Sequence, residues 1–88
     1  MSIHEREIQV TNEFGLHARP MTQLVKIANC YYSDINIWKG ELRVDAKSVI
    51  SLMLLAATKG TTLRIIGDGP DAVEAVDVLC KFISEVKV

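Results

Sequence analysis

Ten Lys plus Arg against eleven Asp plus Glu make this 88-residue chain nearly neutral, and no basic block offers a nucleic-acid footprint. The hydrophobic share of 49% with 24% charged residues is that of an ordinary globular domain, read here as one unit over residues 1–88. A chain this short buries only roughly 60–65% of its unfolded surface, which excludes a large enclosed active-site cavity.

The opening "MSIHEREIQV" is charged early and has no apolar signal core. The longest apolar run, "LMLLAA", falls far short of the ~20 residues of a membrane span. A cytoplasmic location is therefore expected. Cys30 and Cys80 lack metal-ligand spacing and fall in apolar helical patterns, so both are expected to be buried free thiols. Neither a metal nor a cofactor is expected.

In chain order, "EREIQVT" alternates around Ile8 and Val10 and predicts a first strand. From Ala18 the period changes: Met21, Leu24, Val25 and Ala28 fall at helical spacing, opposite Gln23, Lys26 and Asn29. Alternation returns in "SDINIWKGELRVDA", with Ile35 and Ile37 on one face, then Leu42, Val44 and Ala46. Lys39-Gly40 between them predicts a hairpin. A helix then runs from its N-cap Ser48 to Gly60, with Val49, Leu52, Met53 and Ala56 as candidate core residues. "TTLRIIGDG" reads as a last strand, with Leu63 and Ile65 inward. The final helix, "DAVEAVDVLCKFISEVKV", buries Ala72, Val76, Leu79, Ile83 and Val86, and Asp71 and Lys87 match its dipole. The order β-α-β-β-α-β-α predicts an α+β fold, an open-faced β-sandwich: a four-stranded antiparallel sheet covered on one face by three helices.

The stretch "GLHARP", Gly15 to Pro20, lies where the first strand gives way to the first helix. A helix starting near Ala18 leaves its first amide hydrogens without intrahelical partners, and these favour an anion in front of them. His17 occupies that place. Arg19 in the first turn adds a two-donor cation suited to phosphate-like oxygens. Pro20 fits a first turn, and Gly15 allows a sharp bend. Imidazole is nucleophilic when neutral, so nucleophile, oxyanion donors and positive charge converge as phosphoryl transfer requires. Taken singly, a histidine at a helix start is most often a surface or capping residue; the full hexapeptide in its strand–turn–helix setting changes that reading.

Over residues 5–87 the chain resembles the HPr family, the histidine-containing phosphocarriers of the bacterial phosphotransferase system, including the nitrogen-branch paralogue. "GLHARP" is similar to the family's active-site signature, "DAKSVISLM" to its second signature, and "GDGPDAVEAVDVLCKFI" has the family pattern. Phe14 departs from the polar residue that many members carry before the glycine. The resemblance implies the open-faced sandwich and a phosphoryl group on Nδ1 of His17, held by Arg19 and the amides of Ala18 and Arg19. It also implies Enzyme I, charged by phosphoenolpyruvate, as donor and Enzyme IIA-type proteins as acceptors. The sequence lacks the glycine-rich phosphate loop of nucleotide-using proteins, in keeping with receipt from another protein rather than from ATP.

Ser48 lies 31 positions after His17, which the resemblance implies to be the spacing of the family's regulatory serine. A phosphate there, placed by a serine kinase, would add roughly −1.5 to −2 charges; a simple helix cap is the other reading, and the two are compatible. "VISLMLLAA" is too apolar for a helix burying one face, so Ile50 and Leu54 lean toward water. With Ala18, Met21 and Thr22 they are candidates for a partner-docking platform, against a wider core stripe as the plain alternative. His4 is expected to be solvated, and Trp38 a packed or half-exposed turn aromatic. The expected function is a monomeric phosphocarrier. Its rivals are a regulatory module of the nitrogen-branch type, whose His17 state is read by partners, and a phosphohistidine hydrolase, for which no second acid–base residue stands near the motif.

Overall fold

The computed structural model describes residues 2–11 and 18–85. The elements run β1 (Ile3–Gln9), α1 (Ala18–Ala28), β2 (Asp34–Lys39), β3 (Leu42–Asp45), α2 (Val49–Met53), β4 (Thr62–Asp68) and α3 (Ala72–Glu85). The four strands form one sheet in the order β1-β4-β2-β3, antiparallel at each contact. This is the four-stranded, three-helix architecture expected from the alternation of patterns.

The β2–β3 hairpin closes through Gly40 and Glu41, with Lys39 opposite Leu42. Gly40 sits at φ +59, a conformation that costs glycine nothing and suits the twist of a two-residue loop. Ile35 and Ile37 of β2, Leu63 and Ile65 of β4 and Val44 of β3 point into the core. From the helices come Leu24 and Ala28 of α1, Leu52 of α2, and Ala75, Val76, Leu79, Cys80 and Ile83 of α3. The first turns of α3 lie very close to β4: a Cβ on Gly67 would stand 2.8 Å from Val76 Cγ2. Glycine at position 67 is thus required for that helix to approach the sheet.

The other sheet face carries polar and charged residues. Trp38 lies there, half-buried, with the Arg64 guanidinium 5.2 Å from its ring centroid, and Arg64 Nε is 3.6 Å from Glu5 Oε2.

A carboxylate ties the α1–β2 connection to the start of α3. Asp71 accepts from the amides of Tyr32 and Ser33, each at 2.9 Å, and from the Ser33 hydroxyl, while the Asp71 amide donates back to Ser33 Oγ at 3.2 Å. The Ser33 hydroxyl first, and then the Tyr32 amide, hold the Asp71 carboxyl below the usual carboxylate range. A depressed carboxyl stabilises the fold fully above its unfolded value of about 3.9, and that contribution disappears as pH falls through the lower folded value. Asp71→Asn is therefore expected to lower the melting temperature at pH 7 and to flatten its decline below pH 4. Thermal scans of both proteins from pH 7 to pH 2 check this.

Several expectations change. The second helix does not reach Gly60: it ends at Met53, capped by Leu54, and the chain turns through Ala56 at φ +46. Left-handed backbone costs a residue with a Cβ roughly 1–2 kcal/mol. The gain is burial of both Leu55 and Ala57, two residues apart, which a continuing helix would place on different faces. Met53 and Ala56, candidates for the core, are exposed. Leu42 is exposed at the start of the edge strand β3. Cys30 lies beyond the end of α1 and is exposed, whereas Cys80 is buried as expected and burial pushes its thiol upward; both are free. His4 is paired rather than solvated: its Nε2 is 3.1 Å from Asp77 Oδ1, which Arg6 Nη1 also meets at 3.2 Å. Val86 and Lys87 lie outside the described residues.

Candidate functional site

The helix α1 begins at Ala18, the residue that follows His17 in the sequence. By helix geometry the amides of Ala18 and Arg19, at the first two helical positions, have no partner within the helix. Pro20, in the same first turn, brings no N–H and is buried. The Arg19 side chain is exposed at the second helical position. His17 lies outside the described residues, as do Phe14 and Gly15.

The first turn is tightened by Thr22, whose hydroxyl donates to the Ala18 carbonyl at 2.9 Å. Ala18 and Thr22 are exposed, but Met21 is buried in the core. The α1 contribution to a docking face thus reduces to Ala18 and Thr22. At the far end, the last turn narrows to i→i−3 bonds at Cys30 and Tyr31, and Asn29 Nδ2 donates to Val25 O at 2.9 Å and Lys47 O at 3.3 Å. That second bond joins the end of α1 to the residue before Ser48.

Ser48 is the N-cap of α2, with extended backbone (φ −122, ψ 118) and its Oγ accepting from the Ser51 amide at 3.2 Å. Ser48→Ala is expected to cost about 1 kcal/mol of stability, and Ser48→Asp, which keeps a capping oxygen, much less. Urea denaturation of the three proteins checks this.

The helix α2 packs against α1 yet buries only Leu52 among its five residues. Ile50 is 78% exposed and Leu54 65%, as their spacing predicts. Met53, 58% exposed, joins them and was missed because it was assigned to the core. Three large apolar side chains on one helical turn and its cap, uncovered in a chain this small, form the kind of surface that marks protein docking. Among the described residues no helix is long and apolar enough to cross a membrane.

The family model for the PTS HPr component phosphorylation site matches residues 4–85. The phosphocarrier protein NPr of Shewanella violacea is 37% identical over 79 residues, 90% of this chain and 87% of that protein. The crystal structure of phosphocarrier protein HPr from Bacillus anthracis superposes with a TM-score of 0.88 at 35% identity, over 93% of this chain and 98% of the other. Crh of Bacillus subtilis, whose crystal structure is described as a dimer with a swapping domain, gives a TM-score of 0.76 at 37% identity, over 86% and 87% of the two chains. Sequence, fold and phosphorylation-site pattern agree, and the chain belongs to the HPr family of phosphotransferase-system phosphocarriers.

Proposed function

We propose that the protein relays a phosphoryl group through His17, taking it from phosphoenolpyruvate-charged Enzyme I and passing it to Enzyme IIA-type acceptors. On uptake the Nδ1 lone pair of His17 forms a bond to phosphorus as the donor's own bond to phosphorus breaks; on delivery the acceptor's bond to phosphorus forms as the His17 N–P bond breaks and the electron pair returns to Nδ1. Arg19 and the amides of Ala18 and Arg19 stabilise the phosphoryl oxygens, and the exposed Ala18, Thr22, Ile50, Met53 and Leu54 receive the partners.

The observation that carries this reading is the start of α1 at Ala18, directly after His17, with Arg19 exposed in the same turn. A helix start supplies a fixed partial positive charge that needs no rearrangement when the anion arrives. A shallow surface also suits in-line transfer between two proteins, since each partner must bring its own donor or acceptor atom to phosphorus.

Ser48 serves this reading as a regulatory position as well as a cap. Phosphate at the start of α2 would place negative charge beside Ile50 and repel an acidic partner. The relay form is the single chain, which presents the same face to successive partners; sedimentation at assay concentration tests that point separately. The central test is incubation with Enzyme I and phosphoenolpyruvate. An acid-labile adduct on His17 that is then lost to an added Enzyme IIA supports the relay. An adduct that forms but is never passed on favours the regulatory-module reading, and rapid release as free phosphate favours a hydrolase.

A further inference from the structure

We infer that Lys39 is a positioning residue for the docking face: its ammonium, at the end of β2, fixes the turn that ends α2 and so holds Met53 and Leu54 toward solvent. The inference rests on the proposed use of that face by partner proteins.

On its own α2 has no means of presenting apolar side chains to water. Five residues fall well under the ~12–15 at which isolated helices become even marginally stable. Ile50, Met53 and Leu54 would each gain by turning inward. The helix is therefore shaped by what grips it from outside. At its start the Lys47 amide donates to Asp45 Oδ1 at 2.9 Å, Asn29 Nδ2 donates to Lys47 O, and Ser48 caps the first turn.

At its end the amides of Leu54 and Leu55 donate to Ser51 O at 3.1 Å and Leu52 O at 3.0 Å, and the chain then enters the left-handed conformation at Ala56. The Leu55 carbonyl belongs to the peptide plane leading into Ala56, so whatever holds that oxygen sets the plane. Lys39 Nζ donates to it at 2.8 Å, from a side chain that is itself half-buried. A charge-assisted bond in a partly dry setting is a strong one. The neighbouring Lys47 is engaged elsewhere, donating to Tyr31 O at 2.8 Å.

Release of the Leu55 carbonyl removes one of the two restraints on alanine at an unfavourable φ, leaving only the burial of Leu55 and Ala57. The backbone at Ala56 then visits right-handed values more often, and Met53 and Leu54 are held less firmly toward solvent. Lys39 lies on the covered side of β2 and does not itself touch a partner in this scheme. Its effect is on how well the face is recognised, not on the reaction at His17.

The test compares wild type, Lys39→Met and Lys39→Arg in phosphoryl transfer from Enzyme I, with amide hydrogen exchange read on the same proteins. In Lys39→Met the KM for this chain should rise about tenfold with kcat within about twofold, as loss of one charge-assisted bond to the docking turn predicts. Exchange at Leu54 and Leu55 should quicken about tenfold, while Leu63 and Ile65 in β4 stay protected. Lys39→Arg, which keeps a cationic donor, should restore both. Lys39→Gln supplies the same comparison if the methionine variant is too unstable to assay. A reactive wild type with unchanged KM or unchanged exchange in Lys39→Met overturns the role of Lys39 alone. A wild type that accepts no phosphoryl group overturns the relay, and the docking role of Lys39 with it.

Discussion

His17→Ala is expected to abolish phosphoryl uptake. Incubated with Enzyme I and phosphoenolpyruvate, the wild-type chain should gain one HPO₃ unit, about 80 Da, and the alanine variant none. The loss should be on the order of a thousandfold or more, because alanine supplies no nucleophile of any kind. Arg19→Ala keeps the acceptor and removes two donors and a charge, so it should slow uptake by roughly a hundredfold without ending it. Intact-protein mass spectrometry at short reaction times separates the two variants. An 80 Da gain in His17→Ala, or equal rates in Arg19→Ala and wild type, would place the phosphoryl chemistry elsewhere on the chain.

Ile50→Glu is expected to have the next largest effect, and to act on recognition rather than on chemistry or folding. Ile50 is 78% exposed, so the substitution touches little of the core and should move the melting temperature by no more than a few degrees. A charge at the centre of an apolar docking patch must be desolvated when a partner arrives. The KM for transfer from Enzyme I should rise by about ten- to a hundredfold. Leu52→Ala gives the opposite pattern, since Leu52 is buried two positions away. It should cost about 2–5 kcal/mol of stability and leave transfer by the folded fraction near normal. Unchanged transfer in Ile50→Glu, with lost thermal stability, would return Ile50 to the core and remove α2 from the docking face.

The sequence pattern was most legible where one periodicity ran undisturbed. Ile35 and Ile37, Leu63 and Ile65, and the Ala72, Val76, Leu79 and Ile83 stripe all point inward as their spacing predicts. The start of α1 at Ala18 was legible for a local reason, a change of period beside Pro20. Ser48 was legible as a cap because few residue types offer a side-chain oxygen to a helix start.

The stretch after Ser48 was not, because "VISLMLLAATKG" is apolar almost throughout and fits a helix as well as it fits a short turn with an exit. What decides between them is tertiary: Leu55 and Ala57 both gain burial only if the chain leaves the helix at Ala56. Met53 was misassigned because its side of α2 is the one turned to solvent, and Met21, read both as part of the apolar stripe of α1 and as a docking candidate, keeps only the first of those places. The His4–Asp77 pair joins residues 73 positions apart, a meeting that only the packing of α3 on β1 brings about.

The placement of Trp38 has a practical consequence for the denaturation measurements. It is the one tryptophan of the chain, and it sits on the sheet face opposite the helices, under the Arg64 guanidinium. Its indole emission therefore reports on the sheet and on the Arg64 contact rather than on the helical side. A denaturation curve of the chain alone can be followed through that chromophore, while contact at the proposed docking face calls for a dye attached near Thr22 or Met53.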